Sequence, residues 1–195
     1  MKGIIFNVVE EAVSRSFGID TWETLLDAAE VSGVYSAIGD YPTAELVALV
    51  EAAAEHLGMT EEQIWGWVGE HIVPVLQERY PHFFDGHRNS TEFLSSAGSV
   101  VHGEVRKLYE GARPPRFSAE AVGDGRLLLT YRSDRGLADL AEGVVHGVAG
   151  LYGEHALVER SDAADGEARL LCAFTSLEGA GSEEMLLEAG VPWSS

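Results

Sequence analysis

His102, Tyr131, Ser133 and Arg135 are the residues of this chain whose types and spacing suggest chemistry. A neutral imidazole ligates a metal through a ring nitrogen. His102 follows Ser95, Gly98 and Ser99 along one edge of a helix predicted over residues 91–110. Side chains on a helix lean toward its N-terminus, so the ring points over these small residues and leaves a flat recess. In an extended strand Leu127, Leu129, Tyr131, Ser133 and Arg135 share a face. That face is apolar at first and then turns abruptly to phenol, hydroxyl and guanidinium. Buried donors of this kind need an acceptor-rich ligand. Arginine grips a carboxylate through two bonds, and Tyr and Ser each add one donor.

Each half also has a plainer reading. His102 could be a core-edge histidine bonded to a backbone carbonyl. Tyr131, Ser133 and Arg135 could form a wet strand end, with Arg135 paired to Asp134 or Glu142. Taken together, the two halves match one common molecule. Heme carries an iron at its centre and two propionates on one edge. The other histidines show no His-Glu-x-x-His spacing, and one cysteine excludes a zinc site of several thiolates. His82, Asp85 and His87 could in principle ligate a metal from one turn, although ordinary surface or packing roles explain them far better.

The elements that must position these residues follow from periodicity. Residues 3–17 carry a helical stripe, and a second helix begins near Thr21. Residues 31–42 read as loop. Thr43 is expected to cap a helix over Ala44–Leu57 that Gly58 closes. Thr60 opens the next helix, with Gln63 at the capping-box position and Pro74 as an interior kink. Residues 80–86 form a turn with aromatic anchors. The 91–110 helix is expected to bury Leu94, Ala97, Val101, Val105 and Leu108. Strands follow over 116–122 and 126–133, joined by Gly123-Asp124-Gly125. A helix over 137–152 and strands over 157–160 and 168–174 complete the pattern. The last strand looks buried on both faces. Helices first and a mostly antiparallel sheet second make an α+β fold.

The chain has 195 residues and a formal net charge of −19, from 32 acidic and 13 basic side chains. Such acidity argues against binding nucleic acid or anionic membranes. No apolar run reaches the ~20 residues of a membrane span, and the start lacks the pattern of a signal peptide. A cytoplasmic location is expected.

The opening Met1–Asn7, the run Val105–Phe117 with its Pro114-Pro115, and Tyr131-x-Ser133-x-Arg135 together resemble the heme nitric oxide/oxygen binding, or H-NOX, family. The family includes bacterial sensors and the heme domain of soluble guanylate cyclase. The resemblance implies an N-terminal helical part, about 1–60, packed on a heme-ligating α/β part, about 61–177. The two form a single domain, followed by a tail over 178–195 that could form a short helix near 183–189. It implies heme b, held by His102 as the only protein ligand of iron. It places Tyr131, Ser133 and Arg135 on the propionates, and Pro115 and Ile5 against the porphyrin. It puts Leu140, Val9 and Pro74 in the pocket opposite His102, where oxygen-binding members carry polar groups. With three apolar residues there, NO and CO are favoured over stable O2. A zinc site known in some relatives is not expected, given Asp139 and the lone Cys172.

The implied activity is gas sensing, not catalysis. Release of His102 and relaxation of heme against Pro115 and Ile5 would signal to a separate histidine kinase, cyclic-di-GMP enzyme or chemotaxis receptor. The competing readings are an O2-binding heme sensor, a heme enzyme such as a peroxidase, and a heme-free module for a small molecule.

Overall fold

The computed structural model describes residues 1–109, 111–163 and 166–177. The tail and its expected helix lie outside them. The described residues form seven α-helices and a four-stranded antiparallel sheet, an α+β architecture. The helices are α1 (Gly3–Phe17), α2 (Ile19–Ala28), α3 (Thr43–Leu57), α4 (Glu61–Arg79), α5 (Ser90–Ala97), α6 (Val101–Leu108) and α7 (Ala138–Leu151). The strands are β1 (Arg116–Ala121), β2 (Leu127–Arg132), β3 (Glu154–Asp162) and β4 (Glu167–Ser176), in the spatial order β1-β2-β4-β3.

Local signals account for most boundaries. Thr60 and Gln63 form the full capping box at the start of α4, with bonds of 3.3 and 2.9 Å. Gly58 takes the left-handed conformation that ends α3. Thr43 is already inside α3: Pro42 holds the cap position, and no side chain caps the end. Asn89 caps α5 by accepting from the Glu92 amide at 2.9 Å. The Gly123-Asp124-Gly125 turn has positive φ at all three residues and joins β1 to β2. In β4, Ala168, Leu170 and Cys172 are buried, but Leu171 and Ala173 are only half-buried. The expectation of two buried faces therefore fails, because apolar packing fully covers one face of the sheet.

Two apolar cores meet at α4. One gathers α1, α2, α3 and the face of α4 that carries Ile64, Trp65, Val68 and Ile72. The other gathers Val73 of α4, Phe93 and Leu94 of α5, Val145 and Val148 of α7, and the sheet residues Leu127, Leu129 and Leu170. The border drawn near residue 60 thus falls just before a helix that packs into both cores. The most extensive helix–helix contact joins α4 and α7. It depends on glycine. A Cβ on Gly143 would strike the backbone of Gly66, and one on Gly69 would strike the backbone of Leu140 and Val144. Removing side chains at these points lets the two helix axes approach more closely than ridge-into-groove packing normally allows.

The predicted 91–110 helix is two helices. The carbonyl of Ser96 accepts from the amides of Ser99 at 3.1 Å and Val100 at 2.9 Å, and from the Ser99 hydroxyl at 3.0 Å. The helical ladder tightens and breaks there. Gly98 supplies the physical reason: a Cβ at this position would collide with the carbonyl oxygen of Phe117 in β1. The small residue serves a close approach of strand and helix, so Ser95, Gly98 and Ser99 do not form the expected recess. After the break α6 buries none of its residues, and Leu108 is 62% exposed.

Candidate functional site

A large apolar cavity of about 350 Å³ opens between the two cores. His102, Tyr131, Ser133, Arg135, Pro115, Ile5 and Leu140 all line it. Each arrives from a different direction. Ile5 comes from the first turn of α1. Leu140 comes from α7, held in place by the glycine crossing with α4. His102 comes from the first turn of α6, while Val101 and Val105 line the same space. The apolar side of α6 therefore faces the cavity, with Val101 also packed against the second core.

Val9 and Pro74 are not brought to this cavity. Val9 is buried in the helical core one turn beyond Ile5. Pro74 is exposed, because the inward positions of that turn of α4 belong to Val73 and Leu76, which do line the cavity. α4 runs through Pro74 as one helix.

The imidazole of His102 is half-buried and makes no hydrogen bond among the described residues. Its Nδ1 is fully buried without a partner. A buried polar atom left unpaired costs about 1–3 kcal/mol and calls for an explanation. Burial lowers the histidine pKa below its ordinary value, and the nearby Arg106 charge adds to the effect. The ring is therefore held neutral, with a lone pair available for a metal.

Tyr131 lies near the end of β2 at 6% exposure, and Ser133, just past the strand's end at Arg132, is 8% exposed. Burial raises the Tyr131 phenol pKa, against smaller pulls from the Ser133 hydroxyl and the Arg135 charge. Ser133 is fixed by its backbone, whose amide donates to the Gly166 carbonyl at 3.2 Å. Its hydroxyl accepts from the Arg135 amide at 3.2 Å. The Arg135 guanidinium donates to the carbonyl of Arg113 at 2.8 Å, which ties the donor cluster to the Pro114-Pro115 segment. The site thus combines an unpaired imidazole, an apolar slot and a converging set of carboxylate donors. It can take a planar apolar group that carries a metal and acidic substituents.

Sequence reasoning missed part of the wall. Phe83, Phe84 and Phe93 line the cavity as well, with Phe84 and Phe93 stacked at 4.6 Å. Tyr80 and Tyr109 also line it, and their hydroxyls meet at 3.2 Å. The aromatic density of residues 80–86 was the available signal, since a plain surface turn rarely spends so many rings. His87, read as a possible metal ligand, bonds the Ser96 hydroxyl at 2.9 Å instead. Among the described residues no group of three or more His, Cys, Asp or Glu could hold a metal ion. No helix among them is long and apolar enough to cross a membrane.

Comparison with known proteins gives a consistent result. Residues 2–160 match the family model described as Haem-NO-binding. The chain is 30% identical over 155 residues to soluble guanylate cyclase gcy-35 of Caenorhabditis elegans. The match covers 76% of this chain but only 22% of that relative's length. Among solved structures, an H-NOX protein from S. oneidensis in the Fe(II)NO ligation state matches with a TM-score of 0.82 at 27% identity. That match covers 90% of this chain and all of the other. An oxygen-binding H-NOX domain related to soluble guanylate cyclases matches with a TM-score of 0.77 at 25% identity, over 91% and 97% of the two chains.

Proposed function

The chain belongs to the haem-NO-binding, or H-NOX, family and has the fold of a heme-based gas sensor; on that premise we propose that it binds heme b through His102 and senses NO and CO in preference to O2. The observation that carries this reading is the buried, unpartnered Nδ1 of His102, a residue of an apolar cavity that Tyr131, Ser133 and Arg135 also line. The residues present fit the group. Among the described residues His102 is the one histidine in the cavity wall. The phenol, hydroxyl and guanidinium offer the donors that two propionates need. Pro115 and Ile5 supply rigid and bulky apolar surface to press on the ring.

When bound, ferrous heme supplies an open coordination position for a diatomic gas. Leu140, Val73, Leu76 and Val144 give the wall no hydrogen-bond donor from their side chains. A gas that needs a donor, as oxygen does, finds none there. Tyr80 and Tyr109 also line the cavity; in the bond between their hydroxyls one O–H donates and the other tyrosine keeps its own proton, so the preference rests on the four aliphatic side chains alone.

The signalling step belongs to α6. Because no residue of α6 is fully buried and its packing on the body is slight, with Val101 against the second core, His102 and the short connections at its ends would carry much of its attachment. Release of His102 would free the helix to move about the Gly98–Val100 break, while α4 and α7 stay fixed. That is a two-arrangement element with a defined hinge. A separate partner, such as a histidine kinase or a cyclic-di-GMP enzyme in the cytoplasm, would read the displacement.

Absorbance spectra of the reduced, heme-loaded protein test this reading. Shifts with NO and with CO, and none in air, are expected. A stable oxygenated form in air would overturn the ligand preference, and failure to take up heme at all would overturn the whole reading.

A further inference from the structure

We propose that residues 178–195 fold back as a cover over the outer face of the sheet, with a short amphipathic helix around 183–189 seated on Leu128, Leu157, Leu171 and Ala173. α5 and α7 pack against the inner face, where Leu129, Ala156, Leu170 and Cys172 are buried in the second core. Side chains alternate along a strand, so Leu128, Leu157, Leu171 and Ala173 point the other way. Leu128 pairs with Leu171, and Leu157 pairs with Ala173, which makes one patch across three strands. None of the four packs into either core, and Leu157 is 63% exposed. An antiparallel sheet with one solvated face normally carries polar side chains there. This face is apolar at its centre.

The tail starts beside the patch and has the composition to cover it. Leu177 follows the last residue of β4, and its amide donates to the Gly153 carbonyl at 2.9 Å. Leu171 lies six residues back along the same strand, roughly 20 Å away. The eight residues from Leu177 to Met185 span up to about 27 Å, so a reversal at Gly179 or Gly181 brings Met185 over the patch. Ser182 is a cap residue ahead of Glu183 and Glu184, and Gly190 and Pro192 close the segment. At helical spacing Met185, Leu186 and Ala189 share one side, and Glu184 and Glu188 the other. Charge permits the contact. The tail holds four glutamates and no basic residue. On the outer face Arg116, Arg132 and Arg169 balance Glu120, Glu159 and Glu167, a neutral surface on a chain of net charge −19. A second copy fits worse, since four side chains fall far short of the ~20–30 residues a side of a stable interface.

Disulfide trapping in the full chain tests the cover. Leu157→Cys on the sheet is combined with Glu183→Cys through Ala189→Cys, one at a time. Cys172 is buried and burial pushes its thiol pKa up to about 12, so it stays out of the exchange. Intrachain bonds should form roughly tenfold faster with Met185→Cys, Leu186→Cys and Ala189→Cys than with Glu184→Cys and Glu188→Cys. Should Leu157→Cys not fold, Glu159→Cys on the same face takes its place. Equal rates at all positions would mean that the tail passes over the sheet without docking, and would overturn the proposal. Disulfides between chains would put a second copy on the face and overturn it as well. The outcome does not depend on heme uptake, so it stands apart from the sensor reading above.

Discussion

The α4–α7 crossing and α6 are opposite solutions to holding a helix. At the crossing, Gly143 meets the backbone of Gly66, Gly69 that of Leu140, Gly143 and Val144, and Gly147 that of Glu70, so backbone lies on backbone. Around it Val73, Val145 and Val148 are at most 2% exposed. In α6, eight residues long, nothing is buried. A helix that short is marginal on its own, because nucleation is costly and few bonds repay it. The contrast teaches where the fold has been made stiff. Leu140 and Val73, which shape the gas side of the cavity, ride on the locked crossing. His102 rides on the helix with the weakest hold. A sensor needs this division: a fixed pocket for the gas and a movable support for the residue that reports it.

Hydrogen exchange should show the largest contrast. In the heme-free protein, α4 and α7 amides should open only with global unfolding and α6 amides by local opening, rates differing by roughly a thousandfold or more. Heme should then slow exchange across α6 most. Equal protection in the two regions would break the comparison. Next in size, Gly143→Val forces a side chain into the Gly66 backbone. It should cost about 3 kcal/mol or more, lowering the melting temperature by roughly 6–12 °C. An unchanged melting temperature would show that the crossing can relax.

Arg135→Ala removes the charged donor without touching either helix contact. Heme affinity should fall about 10- to 100-fold, the worth of one charge-assisted bond. Heme titration measures this, and an unchanged affinity would remove Arg135 from the clamp. The smallest effect expected is on pH dependence. Burial holds the His102 pKa below its ordinary 6.5 in the fold. The folded state therefore binds fewer protons than the unfolded chain. The stability this ring permits is complete above pH 6.5 and is lost as pH falls from there toward the lowered folded value. In the heme-free protein, His102→Leu should lack this acid loss, as urea denaturation at several pH values would show.

Much of this was legible in the sequence, for reasons that particular residues make plain. The capping box at Thr60, the left-handed Gly58 and the Gly123-Asp124-Gly125 turn are local signals, and local geometry decides them. Within the donor set a strand's period of two places Tyr131, but β2 ends at Arg132, and Ser133 and Arg135 reach the cavity from the turn that follows and not from an extended strand face. The break before His102 was hidden. Gly98 has a helical backbone, and only the carbonyl of Phe117, distant in sequence, shows why it must be glycine. Pro74 went astray through helical phase, where one residue turns a side chain by about 100°, and Val9 through position along the axis, since it shares the face of Ile5 but lies one turn further along α1 in the helical core. The glycines of the α4–α7 crossing carried a visible spacing, but its meaning needs the partner helix beside it.

Coordination of a porphyrin-bound metal by a single imidazole is the claim beneath the rest, and His102→Gly tests it most directly. The variant, expressed with heme supply, should keep its pigment only when free imidazole is added, and its reduced spectrum should then match that of the parent. Full pigment and unchanged axial coordination with no imidazole present would contradict the account.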